Sequence, residues 1–483
     1  MIKKYLHLAL LAFVGFNSPA IAQLPKDSIQ LILNTEIKNK RSVGIAAGFI
    51  NTNGKEVICA GQTALGNAKQ PDGNTLYEIG SISKVFTAII LADMVIKKQL
   101  SLNDPISKYL PATVKTPQRN GAAITLLDLA THRSGLPRMP DNFNPKDPNN
   151  PYIDYTVQQL YDFISNYTLT RDIGEKYEYS NLAVGLLGHI LCLVNKSDYE
   201  TLLKQRITSV LTMPSTVVSL NETLKKRMAV GHNENLIPVS NWDLDVLAGA
   251  GGIRSSVNDM LTFAAANAGI LKTPLDSAIK LTQMFRNKSE TPEFDMGLGW
   301  HIFTYEGQKY LNHNGGTGGF RTFIAVDRIK QIGVVVLANA GNGVDDIGFH
   351  ILNSNFVLEP YVYQWHLKDA ISQKLKNKGV DSAIALYQQL KIEPQEKYIF
   401  NEQQLNNLGY ELIAEKKMKE AIALFQTNVY DYSGSWNVYD SLGEAYMLNG
   451  EKGLAIENYL ISIELNPENE NGKAMVKKMQ EGK

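Results

Sequence analysis

The chain has 483 residues, of which 48 are Lys or Arg and 48 are Asp or Glu, so its formal net charge is zero. This length predicts two or three domains with ample core, and the charge balance argues against nucleic acid or an anionic membrane as a partner. Residues 1–22 have a basic start, an apolar middle and small residues before Gln23, which predicts a signal peptide. No later apolar run is long enough to span a bilayer. We therefore expect export, to the periplasm.

Strands are predicted in two groups, one early and one late. Asn53-Gly54 separates two apolar runs, which is the strongest short-range signal of a β-hairpin. Three further strand patterns lie between residues 297 and 337, and the long segment between the two groups is helical and loop-like. Both groups need an apolar partner, so they predict one antiparallel sheet in an α+β fold, with an all-helical subdomain packed against it. The cleft between these layers is the natural place for a site.

The first candidate motif is Ser81-Ile82-Ser83-Lys84, which precedes an apolar run. The run predicts a buried helix of about four turns with Lys84 one turn after Ser81 on the same face. A serine at a helix start beside a desolvated lysine is suited to act as a nucleophile. The spacing alone is weak, because Ser277 and Lys280 share it and serine is commonly a simple N-cap.

Tyr179-Ser180-Asn181 opens a second apolar helix, Leu182 to Val194. A tyrosine hydroxyl there can relay a proton, and an asparagine offers both a donor and an acceptor. The ordinary alternative is a half-buried core aromatic, since Tyr310 also precedes an asparagine by two residues.

The third candidate begins a late strand with His313, followed by Gly315 and Gly316. The glycines would let a substrate lie against backbone N–H groups, although a histidine in a glycine-rich turn is commonly structural. No other His or Cys stands at metal-ligand spacing to His313, so neither a metal nor another cofactor is expected. Cys59 and Cys192 lie in apolar surroundings and are predicted to be free thiols.

The C-terminal segment 366–483 is helical, charged and repetitive. A small residue and an aromatic, Gly409 and Phe425, recur 34 residues later as Gly443 and Tyr459. This period resembles tetratricopeptide repeats. Two interpretations remain open: a concave surface that docks a protein partner, or a helical cap that supports the main domain.

The order of the three motifs resembles the penicillin-recognising serine hydrolases, and class C β-lactamases most closely. The resemblance spans about residues 30–360 and includes the blocks at 124–132 and 134–137. It implies a serine β-lactamase-like domain over residues 23–365, in which an antiparallel sheet is flanked by helices. One departure is His313, which stands where class C β-lactamases carry a lysine.

The resemblance also implies a mechanism with an acyl-enzyme. Ser81 would attack a carbonyl, Lys84 and Tyr179 would share the proton transfers, and the N–H groups of Ser81 and Gly316 would bind the oxyanion. Asn181 would hold the substrate amide, while His313 would orient Tyr179 or the far end of the substrate.

The substrate implied is a small molecule or a peptide. A β-lactam or a related amide fits the resemblance best. A D-alanyl peptidase, an esterase, and a slowly acylated receptor that docks a partner through the repeats are the alternatives.

Overall fold

The computed structural model describes residues 24–289, 294–363, 365–392 and 398–481, so the predicted signal peptide lies outside the described residues. The chain divides into two compact units, of which the first ends at Tyr361 and the second begins at Val362. The domain boundary predicted at 365/366 falls a few residues further along.

The first unit mixes helices with strands. Its helices are α1 (Lys26–Lys38), α2 (Ser83–Ile96), α3 (Leu126–Ala130), α4 (Val157–Asn166), α5 (Asn181–Asn195), α6 (Tyr199–Leu203), α7 (Glu222–Lys225), α8 (Ala248–Gly251), α9 (Val257–Ala268), α10 (Asp276–Thr282) and α11 (Asp345–Leu352). Its strands are β1 (Gly44–Asn51), β2 (Gly54–Gly61), β3 (Leu76–Glu78), β4 (Gln118–Arg119), β5 (Ala122–Ala123), β6 (Gly231–His232), β7 (Pro238–Val239), β8 (Arg254–Ser256), β9 (Asn287–Lys288), β10 (Phe294–Met296), β11 (His301–Tyr305), β12 (Gln308–Gly316), β13 (Arg321–Asp327) and β14 (Ile332–Ala338).

One eight-stranded antiparallel sheet organises this unit, in the order β2-β1-β14-β13-β12-β11-β10-β9. Ile45 of β1 lies opposite Ala338 of β14, so the early hairpin and the late strands share one sheet, which confirms the prediction. Both faces of β1 are apolar because α9 covers one of them while α1 and α11 pack on the other. The hairpin turn itself uses Thr52 and Asn53, and Gly54 already pairs with Asn51.

Nine of the helices, α2 to α10, lie between β2 and β9, and α2 is at their centre. Twelve of its side chains are buried, from Ser83 to Met94, and it packs against α5, α8 and α10. The short ribbons β3–β8, β4–β5 and β6–β7 also lie in this region. They correct the expectation that the segment between the two groups of strands is only helical and loop-like. Ribbons of two or three residues are too short to show a periodic pattern.

The second unit is almost entirely helical. It contains α12 (Leu367–Lys378), α13 (Val380–Ile392), α14 (Glu402–Ala414), α15 (Met418–Asp431), α16 (Trp436–Leu448), α17 (Lys452–Leu465) and α18 (Glu470–Gln480), with the short parallel pair β15 (Trp365–His366) and β16 (Tyr398–Ile399).

Equivalent helix pairs pack through the residues that repeat in the sequence. A Cβ on Gly409 would lie 2.4 Å from the Phe425 ring, and one on Gly443 would lie 3.2 Å from the Tyr459 ring. The pairs α14–α15 and α16–α17 therefore use the same small-against-aromatic contact. The assignment as tetratricopeptide repeats stays a prediction.

Within the described ranges, no helix is both long enough and apolar enough to cross a bilayer. Cys59 and Cys192 are free thiols, as expected, and both are partly rather than fully buried. Burial raises the pKa of each thiol to about 12.

Candidate active site

Ser81 lies in a 3-10 turn, Gly80–Ile82, that leads directly into α2 at Ser83. The α-helix thus begins two residues later than the Ser81 start that the sequence suggests. Lys84 is in its first turn and only 1% exposed, because α2 is surrounded by apolar side chains. The Lys84 Nζ atom lies 3.0 Å from Ser81 Oγ, so the predicted pair meets.

Three oxygen atoms surround the Lys84 amine. Besides Ser81 Oγ, Nζ lies 2.8 Å from Asn181 Oδ1 and 2.7 Å from the carbonyl oxygen of Ala250. The amide and carbonyl oxygens can only accept hydrogen bonds. A neutral amine has two N–H donors and one lone pair, so the two donors go to Asn181 and Ala250. In this neutral form the lone pair is left for the Ser81 hydroxyl, whereas a charged amine would donate to Ser81 Oγ as well.

Burial sets the protonation states of Lys84 and Tyr179. Desolvation lowers the pKa of Lys84 well below 10.5, and the positive charge of Arg138 lowers it further. Burial raises the pKa of Tyr179 to about 12, against smaller lowering effects from a hydrogen bond with Ser81 and from Arg138. Desolvation therefore favours the neutral amine of Lys84, whereas Tyr179 stays protonated near neutral pH.

The start of α5 positions Tyr179 and Asn181. Ser180 is the N-cap of this helix: its Oγ accepts from the Ala183 N–H at 2.9 Å and donates to the Pro137 carbonyl at 2.6 Å. His132 Nδ1 accepts from the Ser180 N–H at 3.1 Å, and its ring stacks on the Tyr179 ring with centroids 4.5 Å apart. These contacts fix the tyrosine beside Ser81.

Two glycines bring strand β12 against the Ser81 turn. Gly80 has φ +51°, and a Cβ on it would lie 2.6 Å from the Gly316 nitrogen. A Cβ on Gly315 would lie 2.0 Å from the Ile79 carbonyl oxygen. Since neither position has room for a side chain, the backbones of the turn and the strand touch. Gly315 and Gly316 consequently line the same cavity as Ser81.

His313 lies next to this cavity without lining it. The ring is 1% exposed and stacks on His301, with centroids 4.8 Å apart. Its Nδ1–H donates to the Asn314 carbonyl at 2.6 Å. Burial lowers the pKa of His313 well below 6.5, and electrostatic interactions with His301 and Lys84 act in the same direction. His313 is therefore a buried, neutral imidazole, while Asn314 faces the cavity.

The cavity has a volume of about 860 Å³. It is lined by all the predicted site residues except Lys84 and His313, together with residues that the motifs do not predict. Arg138 and His301 are the main additions. Arg138 directly follows the 134–137 block and was therefore within reach of the sequence analysis. No sequence motif marks His301.

The second copies of the motifs lie elsewhere. Ser277 and Lys280 are both exposed on the short helix α10. Tyr310 is buried on β12, where it packs on Phe356 and accepts a hydrogen bond from Asn353. Among the residues described here, no three His, Cys, Asp or Glu side chains cluster as a metal site would require.

Comparisons with known proteins place these observations in a family. A family model described as Beta-lactamase matches residues 29–350. The D-alanyl-D-alanine-carboxypeptidase/endopeptidase AmpH of Escherichia coli (strain K12) is 27% identical over 328 residues, covering 63% of this chain and 84% of AmpH. A β-lactamase of Pseudomonas fluorescens is 29% identical over 330 residues, with 61% and 88% covered.

Solved structures agree. A β-lactamase/D-alanine carboxypeptidase from Yersinia pestis has a TM-score of 0.60 and 25% identity, covering 68% of this chain and 97% of its own. A class C β-lactamase from Rhodobacter sphaeroides has a TM-score of 0.57 and 26% identity, with 65% and 94% covered.

Proposed function

Because the chain belongs to the beta-lactamase family of serine hydrolases, we propose that Ser81 is its nucleophile and forms an acyl-enzyme with β-lactam or D-alanyl amide substrates. The observation that carries this proposal is the placement of Lys84, whose neutral amine would have both of its N–H donors engaged by Asn181 and Ala250. Its lone pair is left for the Ser81 proton, as general-base activation of a serine requires.

Proton transfer then divides between two groups. Lys84, with its lowered pKa, accepts the Ser81 proton, and neutral Tyr179 acts as a relay that passes a proton to the leaving group. The N–H groups of Ser81 and Gly316 bind the oxyanion, since the glycine contact brings both backbones together. Water releases the acyl group. Asn181 and Gly315 contribute to substrate binding. His313 packs behind the part of the cavity wall that β12 forms.

Intact-mass spectrometry after incubation with benzylpenicillin and with a D-alanyl-D-alanine peptide tests the proposal. The wild type should gain the mass of the acyl group or turn the substrate over, and Ser81→Ala should do neither. Ser277→Ala is the matched control, because it removes the exposed serine of the same motif, and it should behave as the wild type. An adduct that persists in Ser81→Ala would refute the assignment.

An esterase is the second candidate, and one feature of the cavity favours it. The end of β12 carries a buried neutral His313 and the carboxylate of Asp345, which accepts from the Asn314 side chain at 2.6 Å. A carboxylate of a β-lactam or D-alanyl peptide gains no cation from His313. Faster turnover of a neutral phenyl ester than of either amide would support the esterase.

We also infer export to the periplasm, from the pattern of residues 1–22, and docking of a protein partner by the second unit, from its repeats. Truncation after Tyr361 separates the two interpretations of that unit. Unchanged kinetics with loss of a co-purifying partner would support docking, whereas loss of the folded first unit would support a cap.

A further inference from the structure

We propose that Arg138 binds an anionic group of the substrate, so that the site recognises a carboxylate on the Tyr179 side of the cavity and not at the end of β12. This inference rests on the proposed function of Ser81. Arg138 lines the cavity, its side chain is exposed there, and its guanidinium carbon lies 5.2 Å from the centre of the Tyr179 ring.

Arg138 is the cavity cation whose charge is available. In the part of the chain that the structure describes, no carboxylate lies within ion-pairing distance of its guanidinium. The two other arginines of the wall are already engaged. Arg41 pairs with Asp346 and Glu36, and Arg321 donates to the Thr317 and Phe320 carbonyls at 2.8 and 3.1 Å.

The opposite wall is acidic on balance, because its three carboxylates outnumber Arg41 and Arg321. Asp345 lines the cavity beside β12, and its carboxylate is held by the Asn314 amide. Asp346 and Glu359 line the cavity as well. An anionic substrate that enters with its charge towards Arg138 avoids these carboxylates, whereas the reverse orientation places like charges together.

Arg138 is also held close to the reacting groups. Its carbonyl oxygen accepts from the N–H groups of Asn181 and Leu182 at 3.0 and 3.2 Å, which anchors this segment to the start of α5. Its charge reaches Lys84 and Tyr179, since it lowers the pKa of both. A carboxylate that forms a bidentate pair with the guanidinium would thus be positioned relative to Ser81.

The test uses two pairs of phenyl ester substrates. In one pair the leaving group is 3-hydroxybenzoate or 3-hydroxybenzamide, and in the other pair the acyl group ends in a carboxylate or a carboxamide. For Arg138→Gln we expect kcat/KM to fall by about 10- to 100-fold for the anionic member of at least one pair. Measured at a pH above the acid limbs of both enzymes, the neutral members should change by less than about threefold on the same scale.

Arg138→Lys should restore part of the selectivity, because it keeps the charge but loses the planar donors. Arg133→Gln is the matched control: it removes one positive charge from the same segment, outside the cavity lining, and should leave the selectivity unchanged.

Two results would overturn the proposal. One is an equal loss for anionic and neutral substrates, which would make Arg138 a residue that acts only through Lys84 and Tyr179. The other is no loss for either anionic substrate. Failure of the proposed function is distinguishable from both, because it would appear as turnover that survives Ser81→Ala.

Discussion

Replacing Gly80 by alanine should separate catalysis from folding. The φ of +51° costs an L-residue about 1–2 kcal/mol. The new Cβ would also lie 2.6 Å from the nitrogen and 2.9 Å from the oxygen of Gly316, so the turn and the strand must move apart. A displaced oxyanion donor costs about 10²–10³-fold in kcat. We therefore expect Gly80→Ala to lose about that much kcat while remaining folded.

The assay is kcat and KM on a chromogenic ester or cephalosporin, with thermal unfolding followed by circular dichroism. Gly66→Ala is the matched control, since Gly66 has φ +83° and a Cβ there would meet nothing within 4 Å. It carries the same kind of backbone strain without the contact. Gly315→Ala attacks the same contact from the strand side, 2.0 Å from the Ile79 carbonyl oxygen. Equal activity of Gly80→Ala and Gly66→Ala would refute the reasoning.

Three further outcomes are expected. The pKa of Lys84 is lowered from 10.5 in the folded state, so between these two pKa values the unfolded chain binds one more proton than the folded chain. The free energy of unfolding should therefore rise with pH up to about 10.5. Urea titrations of Lys84→Met at several pH values below 10.5 should show a smaller rise. Asn339→Leu should lower the free energy of unfolding in urea by about 3 kcal/mol or more. The Asn339 side chain accepts from the buried Gly44 N–H at 2.6 Å and donates to the Thr63 and Val230 carbonyls at 3.1 Å, and leucine can do neither. A loss below about 1 kcal/mol would contradict this estimate. Gly409→Ala should lower the melting temperature of the helical unit, since its Cβ would lie 2.4 Å from the Phe425 ring. Gly443→Ala should leave the melting temperature nearly unchanged, because its Cβ would lie 3.2 Å from the Tyr459 ring and alanine favours a helix. Equal effects of the two variants would contradict the difference in packing.

The fold was predictable where a local pattern has only one economical outcome. The apolar runs around Asn53 and after residue 297 each need a partner, and one sheet supplies it. The start of α5 follows from the N-cap preference of serine at Ser180. The two-residue ribbons were not predictable, since pairing between distant segments specifies them and no periodicity marks them.

The candidate site likewise contains some residues that the sequence predicts and others that it does not. Ser81, Lys84 and Tyr179 were found through the order of their motifs, and the structure brings them together. The burial of His313 follows from its stacking on His301 of the neighbouring strand β11, a contact between paired strands that no motif reveals. The role inferred for Arg138 depends on which acids lie near it, and distances between remote segments are not visible in a sequence.

Arg138 also connects substrate binding to the strength of the base. Its charge lowers the pKa of Lys84 in the free enzyme. A carboxylate bound to Arg138 would cancel that charge, so the pKa of Lys84 should rise when an anionic substrate binds. Because kcat/KM reports the free enzyme and kcat reports the complex, the acid limb of kcat should lie at higher pH than that of kcat/KM.

The comparison of substrates makes this prediction specific. Neutral substrates leave the charge of Arg138 in place, so their two acid limbs should coincide. In Arg138→Gln the two limbs should still coincide for neutral substrates, and this common limb should lie at higher pH than in the wild-type free enzyme. Separate limbs for a neutral substrate would show that another group links binding to Lys84, because Arg138 has no charge to lose in that case.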